Sequence, residues 1–506
     1  MGGALGQNAR VGVAGQLYMQ DAETYDDYVV RLFLMGAAVW GVVGMSIGVL
    51  AAAQLAWPAL NFDISWLTYS RIRSNHTFGV IFAFGGSALM GTCYYVVQRT
   101  GHTRLALQKL AHFTFWGWQL ACFLAMLTMP FGITQSKEYA EPEWFIDLLI
   151  AVVWVSFGVV FFATLARRRI RHIYVANWYY GAFIIAVALL HVVNNIAVPV
   201  SLFKSYTVYS GVVDAMVQWW YGHNAVAFFL TAGFLGMMYY FVPRQAQQPL
   251  WSYRFSIVNF WALISVYMWA GPHHLLYSAL PDWVQSVGMV FSVILLMPSL
   301  GSAANGLLTF NGAWGRVRTD PAAKFMVLAL VFYAAATLEG SVMAIRSVNS
   351  LSHYTDWTVA HVHSGAIGWV AMITIGSLYA MAPRALGRPA MHSVRGMNVH
   401  FWLHVTGLLL YITSMWAAGI TEGTMWRSTN PDGTLTYGFL SSLIAIRPYY
   451  EVRFIGGVLV LSGMIVMAWN LWHTASDARE RLIKPIIVPI PEPEPLQVPA
   501  PLPVAR

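Results

Sequence analysis

The sequence predicts an all-α integral membrane protein built on twelve transmembrane helices, and three observations carry that prediction. Of 506 residues, 58% are apolar and only 10% charged, where a soluble domain carries roughly a quarter. Apolar stretches of about 20 residues, the length that crosses a bilayer, recur along nearly the whole chain. The connections between them alternate in their content of Lys and Arg. A soluble fold is excluded, and so is a separate aqueous catalytic domain, because the spans leave no room for one.

A window of about 19 residues places spans at 29–52, 76–98, 112–132, 145–166, 174–200, 215–242, 255–279, 285–309, 325–345, 357–382, 398–420 and 453–474. Residues 1–28 contain Asp21, Glu23, Asp26 and Asp27 and lack the basic start, apolar core and small-residue cleavage site of a signal peptide. They are expected to form a cytoplasmic N-terminal segment, followed by the twelve-helix domain over 29–474. Residues 475–506 read as a cytoplasmic tail whose recurrent Pro favours an extended polyproline conformation. Connections after even-numbered spans carry fifteen Lys and Arg, and those after odd-numbered spans eight over a greater total length. The positive-inside rule therefore puts both termini in the cytoplasm. The net charge of +8 follows from this orientation and does not point to nucleic acid. Cys93 and Cys122 both lie in apolar stretches and neither opens a Cys-x-x-Cys-His, so no disulfide framework, Cys-based metal site or covalently attached haem c is expected.

Ionisable side chains inside spans are costly and mark sites, and here they are histidines. His76 opens span 2, His223 lies early in span 6, and His361 and His363 lie early in span 10, each helix descending from the outside. His273 and His274 stand near the outer end of the rising span 7. At 1.5 Å per residue all six fall within roughly the outer 12 Å of the membrane. His361 and His363 are two residues apart and point about 160° away from each other on a helix. They serve two cofactors flanking that helix better than one metal. His273 and His274 follow Pro272, which loosens the helix, so both can reach one ion together with His223. Three neutral imidazoles suit copper, iron or zinc. His191, in HVVNN, has no partner at ligand spacing and reads as a structural hydrogen bonder.

The stretches RIRSNHTFGVIFAFG, GITQSKEYAEPEWFID, HIYVANWYYGAF, QWWYGHNAVAFFLTAGFLGMMYYFVPRQ, YMWAGPHHLLYSALPDW and HYTDWTVAHVHSGAIGW resemble the catalytic subunit of haem-copper oxidases, specifically the cbb3-type cytochrome c oxidases. The likeness runs from span 1 to span 12 and implies the haem-copper oxidase subunit I fold in a bacterial inner membrane. It implies two b-type haems, the low-spin one held by His76 and His363 and the high-spin one by His361, with one copper on His223, His273 and His274. It also implies membrane-anchored mono-haem and di-haem cytochrome c subunits as partners, with O2 and protons as substrates.

Oxygen reduction needs four electrons, of which an iron and copper pair supplies three by metal oxidation and a tyrosine can give the fourth. In other branches of the superfamily that Tyr lies four residues after the first copper histidine, but position 227 is Ala. Tyr267 precedes His273 and His274 by close to two turns, and the resemblance implies a covalent link between it and His223. Protons must come from the cytoplasm through a dry bundle, so hydroxyls and carboxyls are expected below the site. Thr231, Ser256, Tyr333 and Glu339 are the candidates, similar to the family's single proton pathway. Haem propionates need cations at the membrane face. Arg73, three residues before His76, is one candidate contact, and His353 in the loop before span 10 is another. Glu138 and Glu141 would repel a propionate unless a cation intervenes, and the resemblance makes Glu138 part of a calcium site.

Two functions share this plan. A terminal oxidase reduces O2 to water with electrons from cytochrome c while protons are taken up and pumped, and a nitric oxide reductase carries non-haem iron in place of copper. Iron(II) favours a carboxylate beside its histidines, and none stands near His223, His273 or His274 in the sequence. The oxidase is therefore the expectation. A transporter would show paired broken helices around a midplane site, which the sequence does not.

Overall fold

The computed structural model describes residues 24–477; most of the expected N-terminal segment and of the Pro-rich tail lies outside the described residues. Among the described residues, twelve helices are long and apolar enough to cross a membrane. In chain order they are α1 (Tyr28–Ala56), α2 (Tyr69–Gly101), α3 (Gln108–Phe131), α4 (Trp144–Ala166), α5 (Val175–Asn194), α6 (Gly211–Ala246), α7 (Tyr253–Leu275), α8 (Asp282–Leu308), α9 (Pro321–Met343), α10 (Asp356–Leu386), α11 (Val394–Trp426) and α12 (Phe439–Ser476). Most pack against their neighbours in sequence, and α12 returns to lie along α1, closing the ring.

Within the ring, every fourth helix from α2 is central. The most apolar windows of α2, α6 and α10 are each 83% buried, against 39–50% for the other nine. The outer helices present lipid-facing stripes, such as Leu148, Val152, Val155, Val159 and Phe162 of α4, while Val153, Trp154, Phe157 and Phe161 turn inward. That 3–4 spacing is the period of one helix face. The three central helices also share a backbone feature. Each changes to π-helix over eight residues, Gly79–Gly86, Ala225–Ala232 and Ser364–Ala371, one to three residues after His76, His223 and His363. Such segments cluster at functional sites because the wider turn re-aims the preceding side chains.

The structure departs from the expected spans in three places. The fifth helix stops at Asn194, and Ala197–Ser201 pairs antiparallel with Lys204–Thr207 as a hairpin, β1 and β2; Pro199 and β-branched Val198 and Val200 favour an extended chain over a helix there. The last helix begins at Phe439, fourteen residues earlier than hydropathy places it, because Arg447 and Glu451 dilute the window while the helix runs on through Pro448. In α7 the regular helix ends at Tyr267, and His273 and His274 sit on the 3-10 turn Gly271–Leu275 instead of on a continuous helix.

Candidate functional site

His223, His273 and His274 each offer one ring nitrogen, and these atoms lie within 4.8 Å of one another. The cluster is the only group of three or more metal-ligating side chains found among the described residues. Local sequence explains the convergence. A Cβ at Gly288 of α8 would lie 2.4 Å from the His273 backbone nitrogen, and one at Gly271 would lie 2.8 Å from the Trp219 carbonyl. Only hydrogen at these two positions lets the histidine turn settle between α6 and α8. The ring of His274 then stacks on Trp219 with centroids 4.2 Å apart, and His273 Nδ1 lies 2.8 Å from Ser292 Oγ. His223 Nε2 is buried with no partner. An unpartnered buried imidazole nitrogen beside two others fits a three-nitrogen metal site. Tyr267 packs beside His223 at 5.5 Å between centroids, and its hydroxyl is 3.3 Å from Thr231 Oγ1.

Across from the triad stands His361. All of these side chains, with Tyr333, Asn349 and His353, line one cavity. No Asp or Glu lines it. A Cβ on Gly340 would come within 2.8 Å of the His361 ring, and one on Gly48 within 2.4 Å of the His76 ring, so both glycines keep open the space these imidazoles fill. His361 Nδ1 lies 3.3 Å from Glu339 Oε2, and the other oxygen of Glu339 accepts from the indole nitrogens of Trp357 and Trp416 at 2.9 and 2.5 Å. On the other side of α10, His363 stacks on Tyr411 at 4.4 Å and turns its Nδ1 to the Val359 carbonyl, as His76 turns its Nδ1 to that of Gly44, each at 2.8 Å. Fixing one ring nitrogen to a carbonyl or carboxylate orients the other toward a metal. Nε2 of His363 lies 3.2 Å from the Tyr411 hydroxyl.

Several expected residues are placed differently from the sequence reading. Glu339, expected below the site on the proton path, stands four residues from the C-terminal end of α9, beside His361, whose ring it holds. Ser256 donates to its own helix, to the Tyr253 carbonyl at 2.6 Å, so no hydrogen bond joins it to Tyr267. Tyr333 does line the cavity, stacked on Trp369 at 4.6 Å, with its hydroxyl unpartnered. Arg73 forms an ion pair with Glu138. His353 lines the cavity, its imidazole held below its ordinary pKa by burial. His191 is the structural hydrogen bonder expected, 3.0 Å from the Asp147 carbonyl.

Other residues were not legible. Arg453, at the first position of the last expected span, is a buried residue of α12 whose guanidinium lies 5.2 Å from the centre of the Tyr411 ring, and Ser292 and Tyr411 showed no signal beyond their polarity. Glu141, in the loop before α4, is 8% exposed, and burial raises its carboxyl from 4.5 to about 7. A raised acid binds more protons folded than unfolded, so its burial destabilises the fold increasingly as pH climbs from 4.5 to about 7. Glu141→Gln is therefore expected to stabilise the protein by up to about 3 kcal/mol at pH 8 and not at pH 4, read from melting temperatures in chelator-containing buffer; an equal effect at both pH values would refute this.

Twelve helices around a histidine-lined cavity of this kind define a haem-copper oxidase type of site, and comparison with known proteins agrees. The family described as Cytochrome C and Quinol oxidase polypeptide I matches residues 28–459, and the chain belongs to it. It is 60% identical over 455 residues to the cbb3-type cytochrome c oxidase subunit CcoN1 of Stutzerimonas stutzeri, covering 90% of this chain and 96% of that one. It is 52% identical over 472 residues to cytochrome c oxidase subunit 1 of Rhodobacter capsulatus, covering 92% and 89%. A nitric oxide reductase chain of Stutzerimonas stutzeri is a distant relative at 22% over 494 residues, covering 93% and 96%. A solved heme-copper terminal oxidase dimer shares the fold at a TM-score of 0.73 and 15% identity, covering 90% of this chain and 85% of that chain.

Proposed function

We propose that this chain is the oxygen-reducing subunit of a cbb3-type cytochrome c oxidase, reducing O2 to water while protons are taken up and pumped. The observation that carries this reading is the cavity in which His223, His273, His274 and Tyr267 face His361 with no carboxylate in its lining. A nitric oxide reductase centre would need a carboxylate for its iron. Copper on the three imidazoles and a high-spin b haem on His361 would supply electrons to oxygen, with a low-spin b haem on His76 and His363 feeding them. The chain's own part is to hold these groups rigidly, exclude water with an apolar wall, and present the Tyr267 hydroxyl, itself in contact with Thr231, as the local donor of a proton and an electron. Protons from the inner side would reach that hydroxyl through Thr231, with Tyr333 and Ser256 on the same route. Arg73 and His353 would meet haem propionates, and Glu138, paired with Arg73, would share a calcium ion at the outer face. Mono-haem and di-haem cytochrome c subunits would deliver the electrons, in a bacterial inner membrane with both termini in the cytoplasm.

Metal analysis and a reduced-minus-oxidised spectrum of the purified complex test the reading: two b haems and one copper per chain are expected, and non-haem iron in place of copper would overturn it. Membrane-anchored haem c subunits should copurify, and the chain freed of them should not oxidise cytochrome c. Glu339 has a separate consequence. Its carboxylate accepts from His361, which gives the imidazole anionic character and stabilises the oxidised iron. A hydrogen bond to a charged group contributes about 1.5–3 kcal/mol, so Glu339→Gln should raise the reduction potential of the high-spin haem with both haems still bound. An unchanged potential in a redox titration would show that the contact carries no charge.

A further inference from the structure

At the outer ends of α10 and α11 two buried carboxylates, unused by the mechanism above, lie close together. Asp356 is the first residue of α10 and 9% exposed, and Glu422 of α11 is 7% exposed. Glu422 Oε2 accepts the backbone N–H of Asp356 at 2.7 Å, capping the helix that carries both His361 and His363. The approach depends on two glycines of α11: a Cβ at Gly419 would lie 1.9 Å from the Trp357 nitrogen, and one at Gly423 2.2 Å from the Leu351 carbonyl. Asp356 Oδ1 is 3.9 Å from Nη1 of Arg453, and its carboxylate also meets the Tyr450 hydroxyl, while Arg453 Nε is buried without a partner. The charged and titratable groups facing the pair are Tyr411 of α11 and Tyr450 and Arg453 of α12. Arg453 is the arginine that approaches a carboxylate of the pair.

One guanidinium against two carboxylates leaves an excess negative charge in a desolvated place, which is costly unless compensated. One proton on the pair restores the balance. Asp356 precedes His363 by seven residues, about 10 Å along the helix, and Arg453 bridges the interval by packing on Tyr411, whose hydroxyl meets His363. Two unit charges about 10 Å apart at an effective dielectric near 20 shift each other's equilibrium by roughly tenfold. We propose that Asp356 and Glu422 together form a proton-exchanging site that releases one proton at the outer end of the bundle as the low-spin haem is oxidised. The inference rests on the assignment of His76 and His363 to that haem. The step balances: the iron loses one electron, which passes to the high-spin centre, and the carboxylic acid of the pair becomes a carboxylate as its proton leaves past Asp356. Reduction by the next electron draws a proton back.

The test is a redox titration of the low-spin haem band between pH 6 and pH 9 in the purified complex. The wild-type reduction equilibrium should change about tenfold over the range in which the pair titrates. In Glu422→Gln and in Asp356→Asn it should change less than twofold, with the low-spin spectrum intact, while Glu422→Asp should keep the dependence. Wild-type pH dependence in both neutral variants overturns the proposal. The haem assignment fails separately, by a low-spin band that persists in His363→Ala.

Discussion

Tyr267→Phe is expected to leave both haems and copper bound and to cut oxygen reduction by about two to four orders of magnitude, the usual worth of a positioned proton donor. The ring packs beside His223 in the wild type, and Phe keeps that packing, so the metal ligands stay in place. What disappears is the hydroxyl, which Thr231 meets at 3.3 Å and which, beside His223, can give both a proton and an electron. Ala227 on α6 cannot substitute for it, having no phenol. Mass spectrometry of the wild type should find the Tyr267 peptide joined to the His223 peptide at a mass two hydrogens short of their sum, oxygen at the same site being the oxidant. Near-normal turnover in the variant would place the fourth electron elsewhere. Two unlinked peptides would remove the cross-link and leave the metal ligands untouched.

The sequence made the twelve spans and the six histidines legible for one physical reason: a bilayer penalises charge, so apolar length and intramembrane imidazole both stand out. It did not reveal the π-helical segments, because a π turn has the same apolar composition as the α-helix around it. The facing of a polar side chain was not readable. Glu339 was counted as a carboxylate below the site, whereas the face of α9 it occupies points to His361. Arg453 looked like the edge of a span because Arg447, Tyr450 and Glu451 lower the hydropathy before it, yet α12 carries it inward to Asp356. Thr231 and Ser256 have the same chemistry in sequence, but one hydroxyl reaches another helix and the other bonds to its own. That difference is set by rotamer and neighbour, which no spacing encodes.

His361→Ala is expected to lower haem content from two per chain to one, abolish oxygen reduction, and leave the low-spin band. The reason is that the two histidines of α10 belong to different surroundings. His361 faces the cavity and is held by Glu339 of α9, while His363 is held by Tyr411 of α11 and its own helix carbonyl. Removing one ring leaves the other's partners intact. The opposite face gives the complementary result. His76→Ala takes one of two axial nitrogens from the low-spin haem, and a b haem needs both to stay low spin, so the low-spin band should vanish and electron entry stop while carbon monoxide still binds the high-spin haem. Haem extraction and carbon monoxide difference spectra measure both outcomes. Loss of only the low-spin band in His361→Ala would exchange the roles of His361 and His363, and a six-coordinate low-spin spectrum with full turnover in His76→Ala would remove His76 from the ligand set.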